Sequence, residues 1–175
     1  EMYPPEALTL RENVPAYQQA AAREELSGYY AHISALDECL GMLMDEVKRS
    51  GIWEDTVFMY TSDHGDMLHS QGVRLKQKPW DESIRVPLLI RYPRRGDQPG
   101  RVDLPVNSPD LMPTLLDLCG IPIPDTVDGK SFAGEILAAR CGGRGSGEVP
   151  VGVVSRENDA VLLQCISPSG EWHKF

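Results

Sequence analysis

Across residues 16–50 apolar side chains recur at three- and four-residue steps. Tyr29, Ile33, Leu36, Leu40, Leu43, Met44 and Val47 fall on one stripe, which predicts a helix with a single buried face. Lys48 and Arg49 suit the negative end of that helix and Gly51 supplies the stop, while Gly28 either splits the region into two helices or bends it. Residues 56–61 (TVFMYT) are β-branched and aromatic, the composition of a short buried strand. The run leads directly into Ser62-Asp63-His64-Gly65, and no periodicity is kept from there to Pro79. Loops of that length in compact domains are usually functional or disordered. Residues 86–92 predict a second strand, closed by Pro93. Ser108-Pro109-Asp110 reads as a helix start with Ser108 as the hydroxyl cap, and Gly120 as its end. A short helix is expected within 131–139. Strands are expected at 149–154 and 160–166, the latter turning through 167–170 into 172–175.

The order helix, strand, loop, strand, helix favours an α/β layer architecture. In such sheets reactive loops lie beyond the carboxyl ends of strands, where Asp63 and His64 fall. The chain is expected to divide into an α/β part over 1–140, a glycine-rich linker at 141–148 and the start of a β segment at 149–175. With 41% hydrophobic and 25% charged residues, wholesale disorder is excluded. No apolar run approaches the roughly 20 residues that cross a bilayer. A net charge of −9 repels phosphate backbones, which argues against nucleic acid as a partner. Arg74, Lys76 and Lys78 make a locally positive exception suited to a small anion. Cys39, Cys119, Cys141 and Cys165 form no CxxC pair, so they read as free, partly buried thiols and not as a disulfide framework or zinc site.

Asp63 offers a hard anionic ligand and His64 the commonest nitrogen ligand for divalent metals. At the exit of a strand both can turn toward one point. Taken alone, Asp and Gly are also turn formers. Lys76 is a compact positive charge suited to a sulfate or phosphate oxygen, and by itself it also reads as a solvated surface lysine. Asp66, His69, Trp80, Asp81, Glu82 and Arg85 surround these residues, with Arg85 expected to pair with Asp81 or Glu82 and fix the loop. His32, beside the helical stripe, reads as a packing or surface residue.

The stretch 56–93, TVFMYTSDHGDMLHSQGVRLKQKPWDESIRVPLLIRYP, resembles the sulfatase family of the alkaline-phosphatase superfamily. It has a strand ending in S-D-H-G, an M-L soon after, a lysine ahead of an aromatic-acidic pair, then S-I-R-V-P and a strand. Upstream, YYAHISALDECLGMLMDEV is similar to the family's preceding helix. Downstream, NSPDLMPTLLDLCGIPIPDTVDGKSF is similar to its next helix and G-[KR]-S loop, so the resemblance runs in order over 28–132. It implies an alkaline-phosphatase/sulfatase-like layered α/β sandwich, incomplete here, with a β-rich C-terminal end. Asp63 then matches the family's metal-binding aspartate, His64 stands at its Asn-or-His ligand, and Lys76 matches the lysine that contacts the sulfate oxygens.

The same resemblance implies a divalent cation, calcium first, with manganese, magnesium or zinc as alternatives. It also implies a formylglycine matured from a C/S-x-P-S-R motif upstream, and a small-molecule or glycan sulfate ester as substrate. No such motif occurs in these residues: Cys165 has its proline one position late and Gly170 where arginine is needed. Gln71 stands where many family members carry histidine. The chain is therefore expected to be the C-terminal portion of a catalytic domain, inactive and weakly metal-binding by itself, with an unpaired sheet edge. The rival readings are a phosphohydrolase or phosphonate monoesterase of the same superfamily, and a non-catalytic anion-binding module.

Overall fold

The computed structural model of the chain describes residues 2–93 and 100–139, and the backbone of 164–166 and 172–174. Two compact units result. One comprises Glu1–Trp53, Tyr60–Leu89 and Gln164–Phe175, the other Glu54–Met59 and Ile90–Leu163.

The first unit is dominated by α1, Gln19–Arg49, one helix of 31 residues that runs through Gly28 without breaking. It ends as its sequence requires. Ser50 N–H donates to Glu46 O at 2.9 Å, Gly51 N–H donates to Lys48 O at 3.0 Å, and Gly51 takes the left-handed φ of 74°. Lys48 pairs with Asp45 at 3.4 Å and its ammonium lies 4.9 Å from the Trp53 ring centre.

The apolar stripe of α1 is not buried as its spacing predicts. Ile33, Leu36 and Leu43 are 47%, 50% and 54% exposed, and the buried residues of the helix are Ala22 and Ser27. The covering comes instead from the segment before the helix. Ser27 Oγ donates to Tyr3 O at 2.5 Å, Tyr3 Oη and Ser34 Oγ are 2.7 Å apart, and the Tyr3 and Tyr30 rings meet edge to face at 5.5 Å. Periodicity identifies the face able to pack; it does not say which segment lies on it.

Strands β1 (Phe58–Thr61) and β2 (Leu88–Arg91) are hydrogen-bonded neighbours in a two-stranded sheet. Both are shorter than predicted, and β1 is half-buried throughout instead of buried. Between them lies an unforeseen turn of helix, α2 (Asp81–Ile84). Arg85 pairs with Asp81 at 3.7 Å, as expected.

In the second unit, α3 (Ser108–Leu118) packs on α4 (Ala133–Ala138), with Leu118, Phe132, Ala133 and Ile136 buried. The cap of α3 is Asn107, not Ser108: Asn107 keeps the extended backbone of a cap residue. The Asp110 carboxylate decides the register, accepting Asn107 N–H at 3.0 Å and Lys130 N–H at 2.8 Å. Buried Thr114 accepts Phe132 N–H at 3.1 Å, tying the two helices together. Gly120 ends α3 at φ 70°.

Strands β3 (Gln164–Ile166) and β4 (Trp172–Lys174) pair antiparallel with Cys165 opposite His173. The expected linker at 141–148, strand at 149–154 and turn at 167–170 lie outside the described residues. Cys39 and Cys119 are free, but exposed where partial burial was expected. His32 is a surface residue. Among the described residues no helix is long and apolar enough to cross a membrane.

Candidate active site

The strand β1 delivers the chain into Ser62, whose hydroxyl donates to His64 O at 2.8 Å and tightens the turn. His64 Nδ1 lies 2.7 Å from Gly65 O. A carbonyl can only accept, so Nδ1 carries the proton and Nε2 presents a lone pair. Lys76 Nζ lies 2.8 Å from that lone pair and donates to it. Asp63 Oδ2 lies 3.5 Å from the same nitrogen. The three residues singled out from sequence therefore meet at one point, with Asp63 82% and His64 37% exposed.

An imidazole nitrogen and a carboxylate oxygen this close, with the imidazole's other nitrogen held by a carbonyl, suit a shared divalent cation. They amount to two donors, whereas calcium takes six to eight oxygens. Among the described residues no group of three or more His, Cys, Asp or Glu could hold a metal ion.

The loop carrying Lys76 is held in an unusual backbone. Leu68, His69, Gln71, Leu75 and Gln77 have φ values of 41°, 68°, 56°, 64° and 65°, so Lys76 sits between two left-handed residues. Non-glycine residues enter this region at a cost of about 1–2 kcal/mol each, and tertiary bonds must hold them there. Those bonds are present. Met67, fully buried, donates its N–H to Leu75 O at 2.8 Å, and Leu68 N–H donates to Asp66 Oδ1 at 2.9 Å. Gln71 N–H donates to Asn13 O at 3.0 Å.

His69 is buried against α1. Its Nδ1 is 3.1 Å from Gln18 Oε1 and its Nε2 3.1 Å from Glu25 Oε2, while Arg74 pairs with the other Glu25 oxygen. His69 therefore anchors the loop and does not join Asp63 and His64. Glu82 is a second anchor. The Asn13 amide donates to its Oε1 at 2.7 Å and chiefly holds its carboxyl below the usual range, with Arg11 at 3.7 Å helping and burial opposing.

Sequence reasoning quoted Gly65 and Ser83 only as members of the S-D-H-G and S-I-R-V-P motifs, with no role of their own, and passed over Asn13. Gly65 packs so closely on α2 that a Cβ there would lie 2.0 Å from Glu82 O. Its signals were its place in S-D-H-G and its position between the histidine and a polar loop, which fits any turn glycine equally well.

The solved structures that resemble this chain share the alkaline-phosphatase-like fold, which bears out the expected fold class. A sulfatase family model matches residues 3–121, and the chain belongs to the sulfatase family. It is 46% identical over 136 residues to an ulvan-active sulfatase of Formosa agariphila, covering 76% of this chain and 27% of that protein. It is 36% identical over 133 residues to an endo-4-O-sulfatase of Bacteroides thetaiotaomicron, covering 74% and 26%. Among solved structures, a phosphonate monoester hydrolase from Silicibacter pomeroyi is 30% identical with a TM-score of 0.64, covering 79% of this chain and 27% of that one. The chain thus spans about a quarter of the length of these relatives, 27% and 26% for the two sulfatases.

Proposed function

We propose that the complete protein carrying this chain is a sulfuric-ester hydrolase acting on a sulfated glycan. In this reading Lys76 binds a sulfate oxygen, and Asp63 and His64 are two ligands of a divalent cation, calcium first. The carrying observation is the meeting of Lys76 Nζ with His64 Nε2 at 2.8 Å beside Asp63, in a member of the sulfatase family. A glycan is favoured over a small ester because relatives include an ulvan-active sulfatase and an endo-4-O-sulfatase.

Cleaving a sulfate ester spreads negative charge over the bridging and peripheral oxygens. The Lys76 ammonium meets the peripheral charge, and its pairing with a neutral imidazole leaves that charge uncancelled. The Gly65 carbonyl keeps the proton on Nδ1, and the single Nε2 lone pair, which accepts from Lys76 here, would go to a bound cation and free the ammonium for a sulfate oxygen. A bound cation would act as a Lewis acid on a sulfate oxygen. The nucleophile has to come from outside these residues, which contain no C-x-P-S-R or S-x-P-S-R motif.

A phosphonate monoesterase is the second reading, favoured by the likeness to the Silicibacter pomeroyi hydrolase. The test compares the complete protein on sulfated oligosaccharides, an aryl sulfate and an aryl phosphonate monoester. Sulfate release with kcat/KM above that for the phosphonate supports the first reading. The reverse order selects the second.

A further inference from the structure

The loop that carries Lys76 leaves the site at Gly65 and returns at Lys78, and one buried residue holds both ends. Gly65 N–H donates to the backbone carbonyl of Ser83 at 2.8 Å. Lys78 N–H donates to the side-chain hydroxyl of Ser83 at 3.2 Å. Ser83 is 3% exposed, and its own N–H is fixed to Trp80 O at 2.8 Å inside the turn of α2. The neighbouring Glu82 is tied to Asn13, which pins the turn to the N-terminal segment.

The two bonds of Ser83 serve different residues. Its carbonyl fixes Gly65, whose own carbonyl orients the His64 ring. Its hydroxyl fixes Lys78, two positions after Lys76. We infer that Ser83 is a positioning residue that sets the Lys76 amine against His64, holding the lysine end through its side chain and the histidine end through its backbone. No other hydrogen bond of the Lys78 amide is found among the described residues. Gln77, with its left-handed φ of 65°, therefore lies directly beside the hydroxyl-held position. Removing the hydroxyl frees the lysine end and leaves the histidine end in place.

This inference rests on the function proposed above only for its kinetic test. In the complete protein, Ser83→Ala removes the hydroxyl and keeps the carbonyl. Hydrogen exchange should accelerate at the Lys78 amide by about tenfold or more, while the Gly65 amide keeps its protection. The value of kcat/KM on a sulfate ester should fall about tenfold in the native background. In a Lys76→Ala background the same change should cost less than about twofold, because the residue it acts through has gone. Ser83→Cys, close in size with a weak sulfur acceptor, should lie between the two and covers the case in which the alanine variant fails to fold.

Unchanged exchange at Lys78 overturns the inference. Equal losses in both backgrounds also overturn it, since that is what a general loss of folded protein produces. If the native protein cleaves no sulfate ester, the proposed function fails instead, and the exchange comparison still decides whether Ser83 holds the loop.

Discussion

Replacing Gly65 by alanine isolates the close approach on which the histidine depends. The added Cβ would lie 2.0 Å from Glu82 O and 3.0 Å from Glu82 C, whereas real Cβ contacts essentially never fall under 3.0 Å. The atoms in the way are backbone atoms of α2, and Glu82 is held there by Asn13 and Arg11, so no flexible side chain can swing aside. The loop must therefore move by about 1 Å, which costs about 1–3 kcal/mol as overpacking. That motion breaks the Gly65 N–H bond to Ser83 O, adding about 0.5–1.5 kcal/mol. The expected destabilisation is about 1.5–4.5 kcal/mol. Urea unfolding of the complete protein, followed by circular dichroism, reads it as a lowered midpoint. Gly28→Ala in α1 is the control: no atom lies within 4 Å of the point a Cβ would occupy there, and the variant should gain about 0.5–1 kcal/mol. A Gly65→Ala protein within about 0.5 kcal/mol of native stability would refute the packing argument.

Lys76→Ala should lower kcat on a sulfate ester by about 10²–10³ with the thermal midpoint unchanged, read by steady-state kinetics and a melting scan. Glu82→Gln tests the lowered carboxyl. A depressed folded pKa contributes stability above the ordinary value of 4.5 and loses it as pH falls through the folded value. The stability gap between native and variant should accordingly be full at pH 7 and shrink below about pH 4.5, measured by urea titration at each pH. Asp110→Ala removes the acceptor of two backbone N–H groups at the start of α3 and should cost about 2–3 kcal/mol in the same assay, leaving kcat unchanged.

The strands around the site were legible because β-branched and aromatic residues leave a four-residue stretch few alternatives, and both fell inside their predicted spans. Asp63, His64 and Lys76 were each visible as chemistry. Their meeting was not, since Lys76 returns across a loop whose path no local rule describes. Leucine and glutamine have no propensity for positive φ, yet Leu75 and Gln77 take it because Met67 and Ser83 hold the backbone on either side. The start of α3 failed for a smaller reason. Asn107 and Ser108 are adjacent and both cap well, and only the reach of Asp110 back to Asn107 N–H chooses between them. The stripe of α1 was legible as apolar, and Ile33, Leu36 and Leu43 stay exposed in this chain by itself, because burial belongs to a partner surface and not to the helix.

The exposure of the candidate site divides its residues by consequence. Asp63 and Lys76 are exposed and His64 is half-exposed, so the groups with chemistry to offer contribute little packing. The residues that hold them, Met67, His69 and Ser83, are buried. Exchanging a charged group should therefore alter rate while sparing stability. Exchanging a holding group should alter stability, and rate only through the charged group it positions. A strained loop makes this division necessary. Backbone in the left-handed region cannot be kept by the exposed side chains it presents, so its support has to come from beneath.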